Sequence, residues 1–509
     1  MQICGFAGEQ QSGGEAGGDC HHGQRNRPSE YPHRHLQCVS GIVGPRNTLR
    51  LPHHRLHMSH RAPREVTVLT VHDPHGSRLD PWVDSYAART KGMTASEIRA
   101  LFSVAARPEV VSLAGGMPFV AALPLDAIAD TIARLVRDRG ATALQYCNGQ
   151  GDERLREQIL DVMAPVGVQA HPDDIVVTAG SQMALDLVVR VFCDPGDVVL
   201  VEAPSYVGAL GVFRAYECDV VHVAMDEQGL HPEALRETIA TVRAAGKTPK
   251  LIYTIPSFQN PGGITQGPAR RAEILDVARA SGLLLLEDDP YGLLGFDGDV
   301  PRAIRADEPE GVVYLGSFSK TIASGLRVGW AVAPHGVREK LVLAAEAATL
   351  CPSNLTQLTV SEYLATQPWM DQIKYFREVY RERRDALLDA LGNLMPGDTT
   401  WTVPGGGFYS WVTLPAGLDA TAMLPRAVAA LVAYVPGTGF YVDGQGRQSL
   451  RLSYCYPEPD RIREGVRRLA GVVEDELELL ATFGSVSAVP HPRLDAPDTS
   501  ASAPAPDLA

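Results

Sequence analysis

Five short stretches of this 509-residue chain hold residue types that can do chemistry, and each follows a run of apolar residues. The sharpest is Ser317-Phe318-Ser319-Lys320, with Arg327 seven residues beyond the lysine in Gly325-Leu326-Arg327-Val328-Gly329-Trp330. A lysine placed after an apolar strand and between hydroxyl residues can have its amine desolvated, which makes it nucleophilic toward an aldehyde. Ser317, Ser319 and Arg327 can hold a phosphate dianion beside that amine. An isolated lysine is nearly always a surface charge, so the motif draws its force from the arginine.

The other four are less specific one by one. Glu287-Asp288-Asp289-Pro290-Tyr291 follows four leucines. Acids that end so apolar a strand are costly unless solvated, paired or used. A carboxylate against a pyridinium nitrogen is such a use, because it keeps the ring protonated and electron-withdrawing; a solvated turn or helix cap is the plain alternative. Asn260-Pro261-Gly262-Gly263 is a turn on any reading, and Asn260 can donate a hydrogen bond to a phenolate oxygen. Tyr206, in Pro204-Ser205-Tyr206, can stack on a flat cofactor, although core packing is the commoner task of such a residue. In Ala179-Gly180-Ser181-Gln182 the small residues let backbone N–H groups approach an anion at a helix N-terminus, although most Gly-Ser pairs are only turns.

These residues need a scaffold that brings strand ends together. DDIVVTAG, DVVLVEAP, LIYTIPS, LLLLEDD and VVYLGSFS are short apolar runs bounded by turn or polar residues, as buried parallel strands are. Stretches of helical spacing such as SQMALDLVVRVF and PARRAEILDVARASG lie between them, so βαβ crossovers and an α/β class follow. In open parallel sheets ligands collect at the carboxyl ends of the strands, where all five stretches fall. From about residue 335 the spacing turns mainly helical (VREKLVLAAEAATL, TQLTVSEYLATQ), with strands again at GGFYSWVTL and SLRLSYC, which suggests a second domain. Residues 1–78 are rich in Gly, Pro, Arg and His and are read as disordered or extraneous to the fold, with Met58 a candidate start; residues 484–509 are read as a disordered tail. The histidines of that first segment show no repeated ligand spacing, so no metal site is assigned.

Composition narrows the function further. A net charge of -14 argues against nucleic acid as a partner, because phosphate contacts need concentrated Lys and Arg. No run of about 18 apolar residues spans a membrane. The eight cysteines form no CxxC pairs, and with no secretory pattern at the start a cytoplasmic location is expected.

Taken in order, GSQ, SY, NPGG, EDDPYG and SFSKTIASGLRVGW resemble the class I and II aminotransferases of fold type I, which depend on pyridoxal 5′-phosphate (PLP), over about residues 79 to 482. TASEIRALFSVAARPEVVSLAGGMP, LQYCNGQGDERLREQI and RLSYCYP are most similar to the branch containing 2-aminoadipate and kynurenine aminotransferases. The resemblance implies a large domain (124–350) with a mostly parallel seven-stranded sheet, and a smaller α+β domain built from an N-terminal arm (79–123) and residues 351–483. It implies that Lys320 carries the cofactor as a Schiff base and that Asp288 pairs with the pyridine nitrogen. Asn260 and Tyr291 would meet the phenolic oxygen, and Tyr206 the ring face. Ser181, Gln182, Ser317, Ser319 and Arg327 would bind the phosphate, with Tyr146 reaching it from the neighbouring subunit of a homodimer. Arg451 would clamp the substrate α-carboxylate, with Gly116 and Asn260 also meeting the substrate, and Arg99 would meet a distal carboxylate. The expected activity is ping-pong transamination between an L-amino acid and a 2-oxo acid, with glutamate and 2-oxoglutarate as one pair. Elimination, decarboxylation or cyclisation on the same scaffold, and a ligand-sensing transcriptional regulator, are the alternatives.

Overall fold

Strands buried on both faces need apolar residues at every position, and the runs named above become such strands. In the computed structural model, which describes residues 80, 82–92, 107–298 and 300–484, the first strands are β1 (Val111–Ser112), β2 (Ile175–Thr178), β3 (Val198–Ala203), β4 (Asp219–Asp226) and β5 (Gly229–Leu230). They are followed by β6 (Pro249–Thr254), β7 (Leu284–Asp288), β8 (Val312–Ser317), β9 (Gly329–Val332) and β10 (Thr400–Trp401). The last are β11 (Tyr409–Thr413), β12 (Val432–Ala433), β13 (Val435–Pro436) and β14 (Ser449–Ser453).

One sheet has the order β2-β9-β8-β7-β6-β3-β4-β5. Its centre is parallel: β3 pairs with β4 and β6, β6 with β7, and β7 with β8. The seven-stranded sheet expected from the resemblance therefore has an eighth strand, the two-residue β5. It exists because the chain hairpins at the end of β4: Gly229 takes φ +93° and the Gln228 N–H donates to Asp226 Oδ1 at 2.8 Å. Two residues leave no apolar run to read.

Strand direction decides what meets at the sheet edge. β9 is antiparallel to both β8 and β2, with Gly329 opposite Ser317 on one side and Thr178 on the other. Two reversals return β2 to the direction of β8, so the ends of β2, β3, β6, β7 and β8 all reach one edge. The start of β9 lies there too, which puts Arg327 at the edge where Ser181 begins its helix. Helices Ser181–Phe192, Pro268–Ser281, His335–Thr349 and Asn354–Thr366 form where the spacing indicates.

The remaining strands make an antiparallel sheet, β10-β11-β14-β13, and a parallel pair, β1 with β12. Arg451 stands in β14 between Trp411 of β11 and Val435 of β13. The described residues fall in one compact unit. Among the described residues no helix is long and apolar enough to cross a membrane.

Gly329 tests how tightly the edge is built. A Cβ there would lie 2.5 Å from the Ser181 nitrogen and 2.6 Å from the Gly180 carbonyl carbon, both backbone atoms with little room to yield. Gly329→Ala is expected to destabilise the fold by about 1–3 kcal/mol, measured by denaturant unfolding.

Candidate active site

Twelve of the residues picked out from sequence line a single cavity of about 290 Å³ at this edge. That is at the low end of the roughly 300–1000 Å³ of small-molecule sites, so the occupant is compact. Each wall comes from a different strand end or loop.

Asp288, the last residue of β7, is 5% exposed. Its Oδ2 accepts from the Tyr253 hydroxyl at 2.8 Å, while Oδ1 is buried with no partner. Burial pushes the carboxyl up to about 7; the Tyr253 hydrogen bond pulls it back, Asp289 pushes it further and the Lys320 charge pulls again. A dry carboxylate with one free oxygen lining a cavity fits a protonated ring nitrogen. Lys320 Nζ donates to the Gly116 carbonyl at 2.9 Å and lies 5.6 Å from the centre of the Phe408 ring.

A second group of donors suits a phosphate. Arg327 sits in the left-handed region (φ 52°, ψ 48°), which costs a non-glycine residue about 1–2 kcal/mol. From there its guanidinium donates to the Ala179 carbonyl (2.9 Å), the Ser324 carbonyl (3.2 Å) and Ser319 Oγ (3.3 Å). Gly180, at φ +83°, leaves room for it: a Cβ there would be 2.3 Å from Arg327 Nη2. The N-terminus of helix Ser181–Phe192 opens beside these groups, with Ser181 and Gln182 on the cavity wall. Orphan N–H groups, a positive helix end and a guanidinium together favour a dianion.

Tyr206 donates from its hydroxyl to Gln182 Oε1 at 3.2 Å, and its ring lies against Gly208, where a Cβ would approach to 2.4 Å. Burial pushes the phenol up to about 12, with Asp288 and Tyr409 adding to the rise. It therefore stays protonated, a donor at the cavity wall. Tyr291 is buried and packs edge-on against Tyr409, ring centres 6.1 Å apart.

Arg451 is not a surface strand arginine: it is 1% exposed. It donates from Nη1 to Asn260 Oδ1 (2.9 Å) and from Nη2 to the Ala114 carbonyl (2.7 Å), and it is flanked by the rings of Tyr409 (4.1 Å) and Phe440 (5.1 Å). Because Asn260 gives its oxygen to Arg451, its NH₂ group is the free end.

Tyr146 is 74% exposed and does not line the cavity of its own chain. Arg99 lies outside the described residues, as do residues 1–79 with their histidine cluster. Sequence reading missed Tyr253 and Tyr409. The first left a signal, since a tyrosine within the fully buried run LIYTIPS needs a partner for its hydroxyl. Tyr409 left none; its hydroxyl lies where a Cβ on Gly116 would come within 1.9 Å.

A mostly parallel sheet whose strand ends gather a lysine, a dry aspartate and a phosphate-type cradle defines a fold type I PLP-dependent transferase. The chain belongs to the aminotransferase class I and II family, whose model matches residues 108–469. It is a PLP enzyme that moves an amino group between an amino acid and a 2-oxo acid. It is 39% identical over 396 residues to an aromatic-amino-acid aminotransferase of Thermococcus litoralis, covering 77% of this chain and 95% of the relative. It is also 39% identical over 405 residues to the 2-aminoadipate transaminase of Thermus thermophilus, covering 78% and 99%. Among solved structures, the kynurenine aminotransferase of Pyrococcus horikoshii in complex with PMP, the aminated cofactor, superposes with a TM-score of 0.73 at 38% identity, over 77% of this chain and 97% of that one.

The Asp288 environment has a consequence for stability. The unfolded chain releases this proton near the ordinary carboxylate range, whereas the fold retains it to about 7. Stability of the cofactor-free protein is therefore greatest below about pH 4 as far as this group is concerned, and falls by roughly 4 kcal/mol as the pH climbs to about 7. Glu202 and Glu287, both pushed up to about 7 by burial, act in the same direction. Asp288→Asn should flatten the slope, which unfolding of apoprotein at pH 5 and pH 8 would measure.

Proposed function

We propose that the enzyme uses glutamate and 2-oxoglutarate as one substrate pair, and that Lys320 is the residue to which the cofactor attaches. The observation that carries the assignment is the cavity's arrangement of one amine, one orphaned carboxylate oxygen and one buried guanidinium. When bound, PLP supplies an electron-withdrawing ring that stabilises charge left on the substrate α-carbon. Asp288 holds the proton at the ring nitrogen. Asn260, through its free NH₂, and Tyr291 meet the phenolic oxygen, and Tyr206 covers the ring. Ser181, Gln182, Ser317, Ser319 and Arg327 hold the phosphate.

The Lys320 amine would take the proton from the substrate α-carbon and give it back, acting as base and then as acid. Arg451 receives the α-carboxylate through its planar fork, next to Gly116. Arg99 is the group we assign to the distal carboxylate of glutamate. Tyr146 completes the phosphate site of the partner in a homodimer. Its exposure supports this, as does that of Leu144 two residues before it. We also divide the chain into a large domain (124–350) and a small one (79–123 with 351–483), a division supported by the pairing of β1 with β12. A reducing, cytoplasmic setting accords with the five cysteines that are free among the described residues.

Borohydride reduction of the holoenzyme followed by peptide mapping should put the pyridoxyl label on Lys320; a label on any other side chain defeats the assignment. Glutamate should convert the visible band to that of the aminated cofactor, and no conversion would remove glutamate from the reading. Arg451→Lys is expected to lower kcat/KM about 100-fold, in line with loss of a bidentate charge-assisted contact.

A further inference from the structure

Glu202 and Gln259 are buried, line no part of the cavity and take no part in the chemistry above. Glu202 lies near the end of β3, 0% exposed, and its carboxylate is surrounded by donors. Oε1 accepts from the Thr254 hydroxyl and from Gln266 Nε2 (3.0 Å), and Oε2 from the Ile255 N–H (3.2 Å) and Gln259 Nε2 (3.1 Å). Four donors around one group suit an acceptor with no hydrogens of its own, and their convergence offsets part of the cost of burying it.

Gln259 uses both ends of its amide. Nε2 also donates to the Pro204 carbonyl at 2.8 Å, and Oε1 accepts the Gly262 N–H at 2.6 Å. Its backbone closes the same turn, N–H to the Ile264 carbonyl (2.8 Å) and carbonyl from the Gly263 N–H (2.6 Å). One side chain is thus bonded two residues before Tyr206 and two residues after Asn260. The turn it grips contains Gly262 and Gly263, the latter at φ +69°, and glycines leave a backbone many alternatives unless something outside restrains it.

We propose that Gln259, anchored on Glu202, is a positioning residue: it fixes the Asn260 turn against the Pro204–Tyr206 turn, so that the Asn260 NH₂ faces the cofactor's phenolic oxygen while Tyr206 covers the ring. The inference rests on the roles given above to Asn260 and Tyr206. Arg451 is drawn in as well, since Asn260 Oδ1 is one of its two hydrogen-bond acceptors. A residue that only fills space would leave the electronic state of the bound cofactor alone. One that aims Asn260 would not, because a donor lost from the phenolic oxygen concentrates negative charge there and strengthens its hold on the neighbouring proton.

The test compares holoenzymes carrying Gln259→Met, Asn260→Ala and Gln266→Met. Gln259→Met keeps the bulk and deletes the hydrogen bonds; Gln266→Met removes a buried amide from the other oxygen of the same carboxylate without touching the turn. Asn260→Ala should move the pH midpoint of the visible cofactor band upward by about one unit, the size of one lost bond to a charged group. Gln259→Met should move it the same way and raise KM for the amino donor several-fold. Gln266→Met should lower the melting temperature while the midpoint stays in place. The proposal is overturned if Gln259→Met leaves midpoint and KM at their wild-type values, or if Gln266→Met moves the midpoint equally. A shift with Asn260→Ala but none with Gln259→Met condemns the inference alone; no shift with Asn260→Ala condemns the role given to Asn260, and the inference with it.

Discussion

A carboxylate kept dry at the end of a strand of leucines sets the terms for everything around it. Asp288 is the one acid among the described residues that line the cavity, and it faces Lys320, Arg327 and Arg451 there. With a single oxygen engaged by Tyr253, it requires a cation to become comfortable as an anion. The three bases impose the reverse demand, so the complementary occupant has a cationic ring and two anionic groups, phosphate and carboxylate. Charge complementarity inside a low-dielectric pocket accounts for the choice of cofactor and of substrate class together.

The two ends of that occupant are handled differently. Around Arg327, to which the phosphate is proposed to bind, the chain accepts backbone strain, with that residue in a left-handed conformation and a glycine opposite it making space. Such strain persists only where the surroundings over-determine it, and here the antiparallel β9 does so, locking Gly329 between Ser317 and Thr178. Around Arg451 no strain is needed, because it is held in register by strands on both sides and by aromatic rings.

How much of this could be read beforehand followed from burial. Strands covered on both faces spell themselves as apolar runs, so β2, β3, β6, β7 and β8 and the residues at their ends were legible in the sequence, as were Gly116 and Arg451 through the family motifs. β4 carries mostly half-buried residues, so it did not stand out. Tyr409, Glu202 and Gln259 are defined by what they touch across long stretches of chain, and no local pattern announces such contacts. The route from Ser181 to Arg327 was invisible for the same reason: it depends on two strand reversals that spacing does not encode.

Arg451 is buried, and no carboxylate pairs with it among the described residues. Its fork rests on two neutral acceptors and its Nε has no partner, so the guanidinium waits with most of its rotational freedom already surrendered and its charge uncompensated. A simple amine of the same side chain would enter such a pocket and leave that charge as it found it, whereas an amino acid neutralises it. On the role proposed for Arg451, decarboxylated analogues would be turned away by electrostatics.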